Sequence, residues 1–179
     1  GQHLPAKSIN QMKIAILSRG SQNYSTRRLT EAALSAGHVP QVLNPFGFNL
    51  QIGSTGKRIY YEGVSAEDFD VVLPRLSAAT AAYGGEIVTH FEWARIPVIN
   101  RAIPIGNARN KFRTLRILAE CGLPVPPSLA TGSTDFLDQA LDLIGDYPFI
   151  MKPFEGTHGD ALLLMDTRIS LRSATGAMC

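Results

Sequence analysis

Short apolar runs alternating with helical stretches constrain this chain more than any other feature. Ile14-Ala-Ile-Leu17 has the length and continuity of a buried parallel strand. A turn over Ser18–Asn23 leads into a helix expected near Thr26–Ala36, with Leu29, Ala32, Ala33 and Leu34 on its apolar face, Ser25 as N-cap and Gly37 just past its end. Val39 to Leu43 then reads as a second strand, so the chain opens with a βαβ unit. Asn44–Gly56, rich in Gly, Pro and Asn, reads as loop, and Arg58–Tyr61 as a brief β excursion. Val71-Val-Leu73 is another buried strand. Gly85–Ala94 is expected to be helical with Ile87, Val88, Phe91 and Trp93 inward, and Pro97-Val-Ile99 begins a further strand. Strands alternating with helices specify an α/β fold with a parallel, doubly wound sheet over the first hundred residues.

The second half reads differently. A helix over Asn107–Glu120 is ended by Gly122 and Pro124, and Gly122–Ser128, with three prolines, is stiff enough to divide domains. A helix over Asp135–Ile144 is capped by Thr134 and stopped by Gly145. Phe149-Ile-Met-Lys152 then forms a strand ending in lysine, followed by a loop with Gly156 and Gly159 and the apolar strand Ala161–Met165. From Thr167 onward neither strand alternation nor a helical stripe survives.

Composition narrows the class. In 179 residues, 45% hydrophobic and 18% charged, long disordered tracts are not expected, and a net charge of +2 is too mild to argue for nucleic acid. Cys121 and Cys179 make no disulfide framework, and Cys121, in an apolar helical run, is expected to be a buried reduced thiol. No apolar run approaches the roughly 18 residues of a bilayer span. Met12 reads as the natural start, after residues without the apolar core of a signal peptide. A cytoplasmic protein, with no membrane or nucleic-acid partner, is the expectation.

The chain has neither G-x-x-x-x-G-K-[ST] nor G-x-G-x-x-G, and Ser18-Arg-Gly-Ser-Gln-Asn23 after the first strand is not a dinucleotide fingerprint. His3, His38, His90 and His158 lack zinc spacing, so no metal ligand is assigned. Lys152 carries the strongest signal. Alternation puts it on one face with Ile150, where an ammonium needs water or an anion. Such a lysine by itself ordinarily snorkels to solvent. Beside it, however, Gly156 and Gly159 let backbone N–H groups approach a phosphate closely. Lys111, Arg109, Arg113 and Arg116 cluster at a helix start, which favours anions yet is also the composition of a solvated face. Arg75 directly follows a buried strand, where open α/β sheets place ligand contacts, although a surface arginine is the commoner outcome.

Taken together, the motifs resemble the ATP-grasp superfamily, and closely the ribosomal protein S6 glutamate ligases of the RimK type. The matching stretches are Met12-Lys-Ile-Ala-Ile-Leu-Ser-Arg19, Phe69-Asp-Val-Val-Leu-Pro-Arg75, Tyr83-Gly84, Phe91-Glu92, Ala108-Arg-Asn-Lys-Phe-Arg113 with Leu118-Ala119, and Met151-Lys152 with Glu155-Gly-Thr157 and Gly159. The resemblance implies a Rossmann-like pre-ATP-grasp domain over 12–104, a linker helix over 105–123 and an incomplete first ATP-grasp lobe (α+β) over 124–166. These are flanked by an N-terminal extension or added residues at 1–11 and an atypical tail at 167–179. It implies ATP contacts from Lys111, Lys152 and the loop Glu155, Gly156, Thr157, His158 and Gly159, with Arg75 on the substrate side. The implied reaction uses ATP and Mg2+ to phosphorylate a carboxylate, after which an amine displaces phosphate to form an amide. Glutamate, and ribosomal protein S6 or another carboxylate acceptor, are the implied partners.

Three departures bear on activity. Asn110 stands where the family often has Asp. His158, Asp160 and Ala161 replace the family's usual Gln, aliphatic residue and Gly, which stiffens the loop and puts an anion near the phosphates. No Asp, Glu or Asn follows Asp166 to hold magnesium, so the catalytic residues and metal ligands are expected outside this chain, which by itself is expected to be inactive. A fragment, a truncated product or one frame of an interrupted gene would each fit. Two other readings stay open: a non-catalytic binding or homo-oligomerising module, and another ATP-grasp ligase such as a lysine-biosynthesis or peptide-ligating enzyme.

Overall fold

The computed structural model describes residues 11–54, 56–133, 137–143, 145–154, 162–167 and 169–170. They fall into two compact units that divide between Ile105 and Gly106.

The first unit is built on β1 (Lys13–Leu17), β2 (Val39–Leu43) and β6 (Val71–Pro74), joined in the parallel order β2-β1-β6. Alternation along β1 sends successive side chains to opposite faces. Ile14 and Ile16 pack with Ala33 and Leu29 of α1 (Tyr24–Ser35), together with Val42, Val71 and Leu73. On the other face, Ala15, Leu17, Leu43 and Val72 pack against Ile87, Val88 and Phe91 of α2 (Ala81–Trp93). Helices therefore cover both faces, as the doubly wound reading requires. The expected strand at Pro97–Ile99 is reduced to a single parallel bridge from Val98 to Val72.

Asn44–Gly56 is not a loop throughout. After a 3-10 turn at Pro45–Gly47, β3 (Phe48–Gly53) pairs antiparallel with β4 (Gly56–Tyr61), and β5 (Val64–Ser65) adds to β4. Dense Gly, Pro and Asn obscure an alternation of Phe48 and Leu50 with Asn49 and Gln51. Burial settles the matter: Phe48 sits edge-on to both Tyr61 and Phe91 at ring separations of 5.0 and 5.8 Å. This antiparallel layer extends the α2 side of the core through Phe48 and Ile59.

Helix ends also differ from expectation. The N-cap of α1 is Asn23 rather than Ser25, whose hydroxyl instead accepts a hydrogen bond from Arg75 Nη2 at 3.1 Å. Gly37 follows the helix at φ +80, a conformation costly for any residue with a Cβ. α2 starts four residues earlier than Gly85 because Ser77 and Thr80 form a capping box around the turn Ala78–Thr80. Trp93, expected inward, is half exposed and carries the Lys57 ammonium 4.5 Å from its ring centroid.

Where the sequence suggests a single helix over Asn107–Glu120 there are two, the first of which begins before the division between the units. α3 (Ala102–Arg109) ends before Asn110, and α4 (Lys111–Glu120) begins after it. Asn110 is extended, and its Oδ1 accepts from the Arg113 N–H at 2.8 Å, so it caps α4. The exposed Cys121 follows α4 and corrects the buried-thiol expectation. α5 (Leu137–Leu141) occupies part of the expected Asp135–Ile144 span; Thr134, Asp135 and Ile144 lie outside the described residues. The hairpin of β7 (Phe149–Met151) and β8 (Leu163–Met165) packs Phe149, Met151, Leu163 and Met165 on Leu137 and Leu141. No helix among the described residues is long and apolar enough to cross a membrane.

Candidate functional site

The segments that carry the two lysines singled out from sequence meet through a main-chain hydrogen bond. The Lys111 N–H, at the first position of α4, donates to the Phe154 carbonyl at 2.9 Å. Phe154 lies two residues beyond Lys152, and its ring meets that of Phe112 edge-on at 6.2 Å. The start of α4 and the exit of β7 are thus one local structure. Thr114 Oγ1 adds a clamp, donating to the carbonyls of Asn107 at 3.0 Å and Asn110 at 3.1 Å, which fixes the break between α3 and α4. Arg109, on the last turn of α3, and Arg113, on the first turn of α4, flank that break.

Alternation across the hairpin places Phe149 and Met151 in the small core, with Ile150 and Lys152 directed away from it. Ile150 is 64% exposed and its cross-strand partner Leu164 66%, so Lys152 stands at the end of an uncovered apolar face. Lys152 is itself exposed, whereas Lys111 is half-buried. Glu155, Gly156, Thr157, His158 and Gly159, the expected phosphate loop, lie outside the described residues.

Arg75 belongs to the first unit. Its N–H donates to the Leu17 carbonyl at 2.8 Å, holding it beside the end of β1, and its guanidinium reaches Ser25 at the start of α1. A related feature missed from sequence is Arg19, just past β1, whose guanidinium lies 5.5 Å from the centroid of the Phe46 ring. The signal available was position: Arg19, like Arg75, follows a parallel strand at its C-terminal end. Among the described residues no group of three His, Cys, Asp or Glu side chains comes together to hold a metal, so they supply no ligand set for magnesium.

Two family matches decide the relationship. Residues 12–105 match the RimK PreATP-grasp domain and residues 108–178 the RimK-like ATP-grasp domain. The chain belongs to the RimK family. Among curated relatives, it is 36% identical over 157 residues to a probable alpha-L-glutamate ligase of Maridesulfovibrio salexigens, covering 88% of this chain and 52% of that protein. It is also 36% identical over 166 residues to the ribosomal protein bS6–L-glutamate ligase of Shigella flexneri, covering 93% of this chain and 55% of that one. The chain therefore spans about half the length of the curated relatives it matches. Its fold superposes on the crystal structure of a RimK domain protein ATP-grasp from Sphaerobacter thermophilus with a TM-score of 0.71, at 22% identity, covering 93% of this chain and 59% of that one. For this RimK-type chain the α/β reading is thus established: a pre-ATP-grasp domain followed by part of an ATP-grasp domain.

Proposed function

We propose that this chain forms the front part of an ATP-dependent ligase that joins the amine of glutamate to a carboxylate, on ribosomal protein S6 or a similar acceptor in the cytoplasm. The observation that carries the reading is the Lys111 N–H to Phe154 carbonyl bond, which gathers two lysine-bearing segments around one helix start. Lys111 and Lys152 would hold the ATP phosphates, with Glu155–Gly159 as the covering loop and Arg75 toward the substrate. A bare carboxylate is a poor acyl donor, so ATP supplies the phosphoryl group that makes its oxygen a leaving group. The lysines lower the barrier by standing where negative charge redistributes during that transfer. The same reaction takes Mg2+, for which the described residues form no ligand set. The domain division at 12–104, 105–123 and 124–166 is part of the proposal.

The test is Lys152→Ala in the protein that carries a complete ATP-grasp domain. ATP turnover should fall by at least about a hundredfold. Undiminished turnover would remove Lys152 from the site.

A second reading is favoured by the uncovered face of Ile150, Leu162 and Leu164. Exposed apolar strand surface of this kind promotes association. In that reading the chain pairs with a second copy of itself without catalysing ligation. Sedimentation equilibrium over a hundredfold range of about 1–100 μM separates the cases, because interfaces of ordinary size dissociate within or below it. A constant monomer mass excludes the module.

A further inference from the structure

The antiparallel sheet β3-β4-β5 has two unlike edges. β5 closes one side with 2 residues, whereas β3 runs along the other for 6. Soluble proteins ordinarily guard such an edge with charge, proline or a bulge. β2, at the edge of the parallel sheet, holds Pro40. β3 holds neither a charged residue nor a proline, and its register with β4 runs one-to-one from Phe48↔Tyr61 to Gly53↔Gly56. Neighbouring bonds fix which way its backbone groups point. The Glu62 N–H donates to the Gly47 carbonyl at 2.9 Å, so by alternation Asn49 and Gln51 also turn their polar groups toward β4. Phe48, Leu50 and Ile52 turn theirs to the open side. Phe48 is already satisfied there, its N–H donating to the Pro45 carbonyl and its carbonyl accepting from Tyr83 Oη at 2.8 Å. The open-side groups of Leu50 and Ile52 take no partner among the described residues. Their side chains share the face that packs toward α2, where Leu50 is half-buried and Ile52 is 67% exposed.

We propose that the β3 edge pairs with the same edge of a second copy of this chain, antiparallel about a two-fold axis. Leu50 of each copy stands opposite Ile52 of the other, and Gln51 stands opposite Gln51. This is the antiparallel register in which the free N–H and C=O groups of Leu50 and Ile52 all meet one another, since Phe48 has none to offer. It also lays each exposed Ile52 against a Leu50 side chain, which removes apolar surface from water. An uncharged strand meets no like charge in its own copy, whereas it offers no counter-charge to an acidic or basic peptide. A second copy is therefore the occupant that fits. The contact is isologous and uses up the long edge of each sheet, so association stops at the dimer. It lies in the first unit and rests neither on the ligase reading nor on the uncovered face of β7 and β8.

The experiment uses the whole 179-residue chain. In sedimentation equilibrium its mass should rise from monomer to dimer, and no further, over about 1–100 μM. Ile52→Pro removes an open-side N–H and leaves the ladder to β4 intact, so it should weaken the dimer at least about tenfold with far-ultraviolet dichroism unchanged. Ile52→Lys keeps that N–H but sets an ammonium against Leu50 of the other copy, and should weaken the dimer as well. Ile150→Lys, on β7, should leave it unchanged. Cross-linking reads the register. With Cys121 and Cys179 replaced by Ser, Gln51→Cys puts two thiols directly opposite each other across the two-fold axis. Oxidised glutathione should then join them into a covalent dimer at least about tenfold faster than it joins Asn49→Cys. A constant monomer mass, growth beyond the dimer, undiminished dimerisation of both Ile52 variants, or equal cross-linking of Asn49→Cys overturns the proposal. Loss of the dimer in Ile150→Lys overturns it too and gives the contact to the β7–β8 face.

Discussion

Asn110 shows how one side chain can set the geometry around a candidate site. By accepting from the Arg113 N–H it satisfies a donor that the helix cannot, and its extended backbone separates α3 from α4. Asn110→Ala should destabilise the chain by about 1 kcal/mol in urea unfolding, whereas Asn110→Asp should retain the cap and add a favourable charge at the helix start. The neutral residue thus meets the capping requirement that Asp would meet. At the opposite extreme is Phe91, fully buried between the parallel sheet and the Phe48 ring. Phe91→Ala should cost about 3–5 kcal/mol, through lost burial and the cavity left behind. Gly84 is constrained by space rather than by backbone conformation. A Cβ there would lie 2.5 Å from Leu76 Cδ2, so Gly84→Ala should destabilise by up to about 3 kcal/mol unless the leucine turns away.

At the level of elements, β1 is tied to the segment before β6 by charge as well as by pairing. Asp68 accepts from Lys13 Nζ at 2.6 Å, and Asp70 accepts from the Lys13 N–H at 2.7 Å. The hydrogen bond from Lys13 holds the Asp68 carboxyl below its usual range, and the same bond raises the Lys13 ammonium above its own. Because the folded Asp68 pKa is depressed, its contribution is present above the unfolded value near pH 4 and is lost as pH falls through the folded value. Lys13 behaves oppositely, its contribution complete below the ordinary lysine value and lost as pH rises through the raised one. Both side chains are exposed, so the effect is small and screened by salt. The urea midpoint of Asp68→Asn should fall slightly below wild type at neutral pH, with the gap closing at about pH 2 and in about 1 M salt. Elements of this kind were legible where hydrophobic period was strong. Ile14–Leu17 and Val71–Leu73 are buried strands because their side chains serve cores on both faces. Of the β3–β4 hairpin, Arg58–Tyr61 was legible as a strand, but β3 was not, since its stability comes from Phe48 meeting Tyr61 and α2 across long sequence separations. Cys121 was misread for a related reason: an apolar stretch indicates a helix but does not say which of its residues end beyond the packed face. Of the candidate site, Lys111 and Lys152 were named from sequence. That their segments meet depends on the Lys111 N–H to Phe154 bond between stretches far apart in the chain, which no local pattern encodes.

For the molecule as a whole, the division between Ile105 and Gly106 separates two cores of unequal strength. The parallel sheet, its helices and the antiparallel layer all lie within residues 12–105, and their two buried clusters draw on that span alone. Residues 12–105 expressed alone should unfold cooperatively in urea, with coincident transitions by different probes. The second unit buries only Leu137, Leu141 and Met165 among its described hydrophobic residues, so it should lose structure at lower denaturant. The sole tryptophan of the chain, Trp93, closes α2 in the first unit, half exposed beneath the Lys57 ammonium. Indole emission is therefore an optical signal from one unit only. Denaturant would redden it when the larger core opens, while earlier loss of the smaller one would register in far-ultraviolet dichroism and leave the emission dark to the event.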